Sequence, residues 1–228
     1  MDLSDYRLCS LNGRHYAVAC GESSKTFHGM MELNDTAFCF LKTLKETGSE
    51  ELTVQTMAAR FAISEEKARE DLTSLLQTLA EEQPGSDGSA REILQEKGVL
   101  ISTISGVSMR PLLKDRRDSV VVRPLKTRLK RYDVALYESG EKLVLHRVLK
   151  DAGDAYIIRG DNCLKKEFIP DAQILGIAEG FYIKNRYVSV KNGRYRCYAR
   201  LWTLLFPLRK TWKRVRSVLG RIKRKLIK

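Results

Sequence analysis

Ile104-Ser-Gly-Val-Ser-Met-Arg-Pro-Leu-Leu113 stands near the start of the larger half of the chain and between its first two extended runs. Gly106 and Pro111 frame a tight turn, and the turn presents one serine, Ser108. Just before it, Val99-Leu-Ile-Ser-Thr-Ile104 is apolar and β-branched, the composition of a strand. After it come Ser119–Arg123, Asp133–Tyr137, Lys142–His146, Ala155–Arg159 and Gly180–Lys184, separated by turn formers such as Glu138-Ser-Gly-Glu141 and Asp151-Ala-Gly-Asp154. Short strands at near-regular spacing predict a closed or nearly closed β-barrel over residues 98–190. Downstream of Ser108 stand His146 in a strand and Asp161 in the turn Arg159-Gly-Asp-Asn162. A serine, a histidine and an aspartate in that order suggest an activated nucleophile. Taken singly, each also fits a bland role: a turn serine, a satisfied strand histidine, an aspartate serving turn chemistry.

Towards the N-terminus, residues 83–97 contain Gln83-Pro-Gly-Ser-Asp-Gly-Ser89, the composition of a linker, with Ala90–Lys97 able to form a short helix. Residues 1–82 form a separate module. Asn12-Gly13 between Tyr6–Leu11 and His15–Ala19 signals a hairpin, and Phe27–Leu33 is a third extended run. Asn34 caps a helix to about Thr47 with Ala37, Phe38, Leu41 and Leu44 on one face, and Gly48 ends it. Thr53 is read as the cap of a second helix through Arg60. Ser64 opens a third helix striped by Ala68, Leu72, Leu75, Leu76 and Leu79, without a capping box because Lys67 stands where Glu or Gln would be needed. Three strands followed by three helices make a winged helix-turn-helix order, so the whole chain is expected to be α+β. Such a fold is a DNA-binding candidate, but Ser64-Glu-Glu-Lys-Ala-Arg-Glu-Asp71 places four carboxylates where phosphate would have to approach.

Two resemblances follow from these residues. Asn34-Asp-Thr-Ala-Phe38, Leu52-Thr-Val54, Met57-Ala58-Ala59 and Glu66…Asp71-Leu72…Leu76…Leu79 make residues 5–82 similar to PqqD-type modules, the peptide-recognition elements of ribosomal peptide modification pathways. The resemblance implies that a leader peptide adds as a strand beside the third strand and lies against the third helix. The contacts it implies are Thr26, Phe27, Met30 and Met31 on the strand and Arg69, Leu72, Thr73 and Leu76 on the helix. Gly106-x-Ser108-Met109-x-Pro111, Asp133-Val134, Leu145-His-Arg-Val148, Gly160-Asp-Asn162 and Ile174-Leu-Gly176 make residues 98–190 resemble the LexA/signal-peptidase superfamily of serine peptidases, signal peptidase I-like in type. That resemblance implies Ser108 as nucleophile, His146 as general base in a position where part of the superfamily carries lysine, and Asp161 as its orienting partner. It also implies an oxyanion site built from the Ser108 main-chain N–H, with Ser105, Gly106 and Met109 in support. An unperturbed imidazole, with a pKa of roughly 6.5, is mostly neutral and able to take the serine proton near pH 7.

Charge divides the chain. Residues 1–97 hold 10 Lys and Arg against 17 Asp and Glu, residues 98–183 hold 15 against 11, and residues 184–228 hold 16 against none. In the tail, residues 191–228, Leu208, Trp212, Val215, Leu219, Ile222 and Leu226 recur at helical spacing among basic residues. A basic amphipathic helix fits an anionic membrane surface through residues 208–228; nucleic acid and docking onto the barrel are the other occupants considered. No run of about 18 apolar residues spans a membrane, and Met1–Tyr6 has neither the basic start nor the apolar core of a signal peptide. Five cysteines without a CxxC pair read as reduced thiols. These features predict a cytoplasmic protein, peripheral at the inner face of the membrane, with no cofactor and no metal. The expected function is a Ser/His serine endopeptidase that cleaves the leader of a ribosomally made precursor peptide captured by the first module. The alternatives are a LexA-like DNA-binding, self-cleaving regulator and a non-catalytic peptide-binding maturation scaffold.

Overall fold

A computed structural model describes residues 3–21, 30–81, 89–140, 142–184 and 186–212. The N-terminal part begins with β1 (Tyr6–Leu11) and β2 (Arg14–Ala19), joined by Asn12 and Gly13 at φ 53° and 78°. Two successive left-handed residues give the turn whose twist matches a hairpin, which is why Asn-Gly signals it. β3 (Met30–Leu33) pairs antiparallel with β2 and forms the edge of this sheet. Three helices follow: α1 (Asp35–Thr47), α2 (Glu50–Phe61) and α3 (Glu65–Glu81). Asn34 caps α1 by accepting from the Ala37 N–H at 2.7 Å, and Gly48 closes it at φ 66°.

The expected start of α2 at Thr53 is wrong. Ser49 is the cap, accepting from the Leu52 N–H, while the Thr53 hydroxyl sits one turn inside and donates to the Ser49 carbonyl at 2.7 Å. Ser64 accepts from the Lys67 N–H, as a simple cap does. A complete capping box forms instead at α4 (Ala90–Lys97), where Ser89 and Glu92 exchange bonds.

The second sheet carries β4 (Leu100–Thr103), β5 (Ser119–Pro124), β6 (Val134–Ser139), β7 (Lys142–Asp151), β8 (Ala155–Arg159), β9 (Glu167–Pro170), β10 (Ile174–Ile183) and β11 (Arg186–Ser189). Its order is β4-β5-β10-β6-β7-β8-β9, with β11 on β10, and every pairing is antiparallel. The expected barrel closure is not present. Among the described residues β4 and β9 end the order without pairing to each other, so the sheet is open. Strand spacing reveals how many strands there are, but closure depends on which edges meet. β9 and β11 were not foreseen, and β10 starts six residues before the expected Gly180.

Side-chain alternation along β2 joins the two parts. Ala17 points at Leu33, Leu41 and Leu79, so one face of the small sheet packs on α1 and α3. Tyr16 and Val18 point the other way and enter a core shared with Cys9, Met30, Ile93, Leu94, Val99–Ile101 and Phe181. Each fully buried side chain of this kind contributes about 1.5–3 kcal/mol. Polar bonds cross the same boundary. Arg7 Nη1 donates to Ser119 Oγ at 2.7 Å, and Thr103 Oγ1 donates to the Ala19 carbonyl at 2.6 Å. The segment read as part of the linker thus includes a helix, α4, whose Ile93 and Leu94 are buried in that common core.

α5 (Gly193–Leu204) is capped by Asn192, and helical turns continue over 206–212 after a break at Leu205. Pro207 falls in the first turn of the second piece, where its missing N–H costs nothing. Tyr195 and Ala199 bury this helix against the larger sheet, so the first part of the tail docks on the body. No helix among the described residues is long and apolar enough to cross a membrane.

Candidate functional site

β7 brings His146 opposite Ala135 and places Val144 opposite Tyr137. Tyr137 is therefore a diagonal neighbour of His146 on the same face, within reach of an aromatic side chain. The pairings Val148↔Ile158 and Ile158↔Glu167 carry that face across β8 to β9. The three polar side chains meet. His146 Nδ1 lies 2.9 Å from the Tyr137 hydroxyl and 3.2 Å from Glu167 Oε1, and Tyr137 donates to Glu167 Oε2 at 2.7 Å. Burial, and then the bond to Glu167, raise the Tyr137 pKa, so the phenol keeps its proton as a donor.

With the one Tyr137 proton given to Glu167, both groups facing Nδ1 act as acceptors. Nδ1 must then carry the imidazole proton, which leaves Nε2 as the basic nitrogen. Burial pushes the His146 pKa below its usual value, opposed by the nearby carboxylates of Glu167 and Asp161. The imidazole is therefore neutral at pH 7.

Nε2 faces the turn that holds Ser108. Gly160 closes the gap: a Cβ there would sit 2.8 Å from His146 Nε2, 2.8 Å from the Ser108 carbonyl oxygen and 2.9 Å from Cys163 Sγ. Only glycine lets the backbone lie this close to the imidazole and the serine at once. The turn is tied down from the same side. The Asn162 N–H donates to the Ser108 carbonyl at 2.7 Å, and Asn162 Nδ2 donates to the Val107 carbonyl at 3.1 Å. Among the described residues no hydrogen bond joins the Ser108 hydroxyl to His146, and the Ser108 main-chain N–H has no acceptor. Gly106 does not fit the expected oxyanion role. At φ 94°, it turns its N–H onto Asp115 Oδ1 at 2.6 Å, so that donor is spent. Ser105 is exposed, and Met109 is buried in the core beneath the turn.

Asp161 is not the group that holds His146. Its carboxylate takes a bidentate bond from Arg147, Nε to Oδ1 at 2.8 Å and Nη2 to Oδ2 at 2.7 Å, with the Tyr198 hydroxyl at 3.1 Å. Consecutive strand residues face opposite ways, so the residue after His146 carries its partner to the other side of β7. Arg147 also donates to the Tyr132 carbonyl and to the Tyr195 hydroxyl, both at 3.0 Å. Burial would lower the Arg147 pKa, but the Asp161 carboxylate more than offsets this and keeps the guanidinium charged. The Asp161 carbonyl accepts from Trp202 Nε1 and Arg209 Nη1, both at 3.0 Å. Sequence reasoning missed Glu167, because nothing near it in the chain marks it; only the β8–β9 register brings it to His146.

In the first module, β3 has one side paired to β2 and the other open among the described residues. Met31 and Leu76 pack on the same small cluster, so this edge lies beside α3. Thr26 and Phe27 lie outside the described residues. Met30 is not available to a peptide: it is buried in the core between the two sheets, and its sulfur accepts from the Ile101 N–H at 3.3 Å. Leu72 is likewise spent inside the helical cluster. Met31 and Leu76 are partly exposed, Thr73 is exposed, and Arg69 is exposed and paired with Glu51 at 2.7 Å.

The family model described as Coenzyme PQQ synthesis protein D (PqqD) matches residues 21–83, which takes in β3 and the three helices and leaves out the β1–β2 hairpin. No curated protein matches the chain.

Proposed function

We propose that the chain captures a precursor peptide through its first module and hydrolyses it at Ser108. The match to a PqqD model supports peptide binding in precursor-peptide maturation. The open edge of β3 supplies a row of main-chain donors and acceptors for a guest strand, with Met31 and Leu76 packed beside it and Arg69 and Thr73 exposed on the same helix as Leu76. The hydrolytic half rests on one observation: a neutral imidazole, fixed at Nδ1 by Glu167 and Tyr137, turns Nε2 towards the backbone of Ser108 across Gly160.

In this reading Ser108 Oγ attacks the scissile carbonyl while His146 Nε2 accepts the hydroxyl proton. The imidazolium stays bonded to Glu167, a role the sequence had suggested for Asp161. The Ser108 N–H is the donor available to the oxyanion. Nε2 then returns the proton to the leaving amine, and water hydrolyses the acyl ester by the reverse sequence. The absence of a Ser108–His146 hydrogen bond is compatible with a resting site, since such bonds commonly tighten only with substrate. It also favours the second reading, a peptide-binding scaffold without chemistry.

The experiment treats the full chain with a fluorophosphonate and maps the adduct by mass spectrometry. The proposal expects a single adduct on Ser108, lost in Ser108→Ala and reduced at least about hundredfold in His146→Ala. Panning a displayed random-peptide library on Ser108→Ala should still enrich binders, and Thr73→Arg should abolish that enrichment. An unlabelled Ser108 with normal enrichment would leave the scaffold reading in possession.

A further inference from the structure

The C-terminal helix has an inner face already accounted for. Tyr195 and Ala199 enter the core, and Tyr198 and Trp202 hold Asp161. This fixes which way the outer face looks. On it lie Leu201, Leu204, Leu205, Leu208 and Trp212, at i, i+3, i+4, i+7 and i+11, a row that runs from α5 through the break at Leu205 into the helical turns beyond it. Leu204, Leu208 and Trp212 are 72%, 69% and 66% exposed. Scattered exposed leucines need no explanation, but five large apolar residues aligned on one face do. The surroundings are cationic. Arg200 and Lys210 lie on the same helical stretch, and residues 184–228 carry sixteen Lys and Arg and no Asp or Glu.

We infer that this stripe docks on an anionic lipid bilayer, with the leucines and Trp212 at the boundary between headgroups and acyl chains and the cations on the lipid phosphates. The two features together select this occupant. Nucleic acid would use the positive charge but would leave the leucines facing phosphate and water. A second copy of the chain would bury the leucines but bring two strongly positive tails together. An anionic membrane surface takes both. The inference does not rest on the hydrolytic reading. It adds geometry to that reading: the helix touches the bilayer on one side and the Asp161–Asn162 turn on the other. The turn that fixes Ser108 would then stand about one helix diameter, roughly 10 Å, from the lipid.

The test is co-sedimentation of the full chain with vesicles of phosphatidylcholine, with and without phosphatidylglycerol, at low and high salt. Binding is expected to the phosphatidylglycerol vesicles, with a blue shift in tryptophan emission that Trp212→Phe removes. Leu204→Glu/Leu208→Glu should weaken binding at least about tenfold. Leu204→Ser/Leu208→Ser, checked for an unchanged urea transition, should weaken it in the same direction. Failure to bind phosphatidylglycerol vesicles overturns the inference. So does equal binding to phosphatidylcholine alone, unchanged binding by both leucine variants, or preferential capture by duplex DNA in competition.

Discussion

Two adjacent residues of β7 lead opposite lives. His146 looks onto a face where a phenol and a carboxylate hold its ring and leave one nitrogen free towards Ser108. Arg147 looks onto the other face, where it is 1% exposed and its charge is consumed by Asp161 and by α5. Both residues are polar and buried, yet only the first keeps an unspent basic atom. The difference lies in stoichiometry. The Arg147 cluster matches each guanidinium nitrogen to an acceptor, which makes a strut. The His146 cluster supplies acceptors to one ring nitrogen and none to the other, which leaves Nε2 as the basic atom that the proposed reaction would use.

The largest loss should come on the strut side. Arg147→Ala would strand the Asp161 carboxylate in a site where it is 3% exposed, with Tyr198 as its remaining side-chain donor. Removing one partner of a buried ion pair costs about 3–5 kcal/mol, because the other charge is left uncompensated. Urea unfolding of the full chain should show that loss, and Arg147→Met/Asp161→Leu, which removes both charges, should recover most of it. A loss within a few tenths of a kcal/mol would mean that Arg147 is not structural.

The next effect falls between the two faces, at Gly160. Gly160→Ala must push its methyl into His146 Nε2 and the Ser108 carbonyl, each 2.8 Å from the added carbon. The backbone carbonyl cannot yield cheaply, so the imidazole or the turn moves. A misplacement of about 1 Å costs on the order of hundredfold in rate. The measurement is the second-order rate of Ser108 phosphonylation, with the urea midpoint followed in parallel. A normal rate would show that the approach at Gly160 does not set the geometry of the base.

Much of this architecture was legible because it is local. The Asn12-Gly13 turn, the Asn34 cap and the stripe of α3 each depend on residues a few positions apart, and the sequence states them directly. What failed was non-local. Asp161 sits in a plausible turn at a plausible distance along the chain, but the alternation of β7 hands it to Arg147. Glu167 belongs to a four-residue strand following Lys165-Lys166, too short and too polar at its start to announce itself. Met30 and Leu72 read as groove residues by analogy, yet the sheet-to-sheet and helix-to-helix contacts consume them. On the tail, Leu208 and Trp212 were visible as a periodic face. The inward set Tyr195, Tyr198 and Trp202 has the same spacing and was overlooked because its targets lie some forty residues upstream.

On the His146 side, charge and position can be separated at Glu167, with a smaller effect. Burial lowers the His146 pKa, and Glu167 partly opposes this by favouring the imidazolium. The base works only when neutral, so phosphonylation of Ser108 should fall on the acid side with a midpoint below 6.5. Glu167→Gln keeps an acceptor near Nδ1 but removes the negative charge. The opposing influence disappears, the pKa drops further, and the acid limb should move to lower pH. The rate at neutral pH should fall about tenfold, because the imidazolium formed in the attack loses its counter-charge. Tyr137→Phe removes a hydrogen bond without removing charge, so it should lower the rate less and leave the limb nearer its original place. If the limb moved to higher pH in Glu167→Gln, or moved equally in Tyr137→Phe, Glu167 would not be the counter-ion of His146. The two faces of β7 would then differ only in how deeply they are buried.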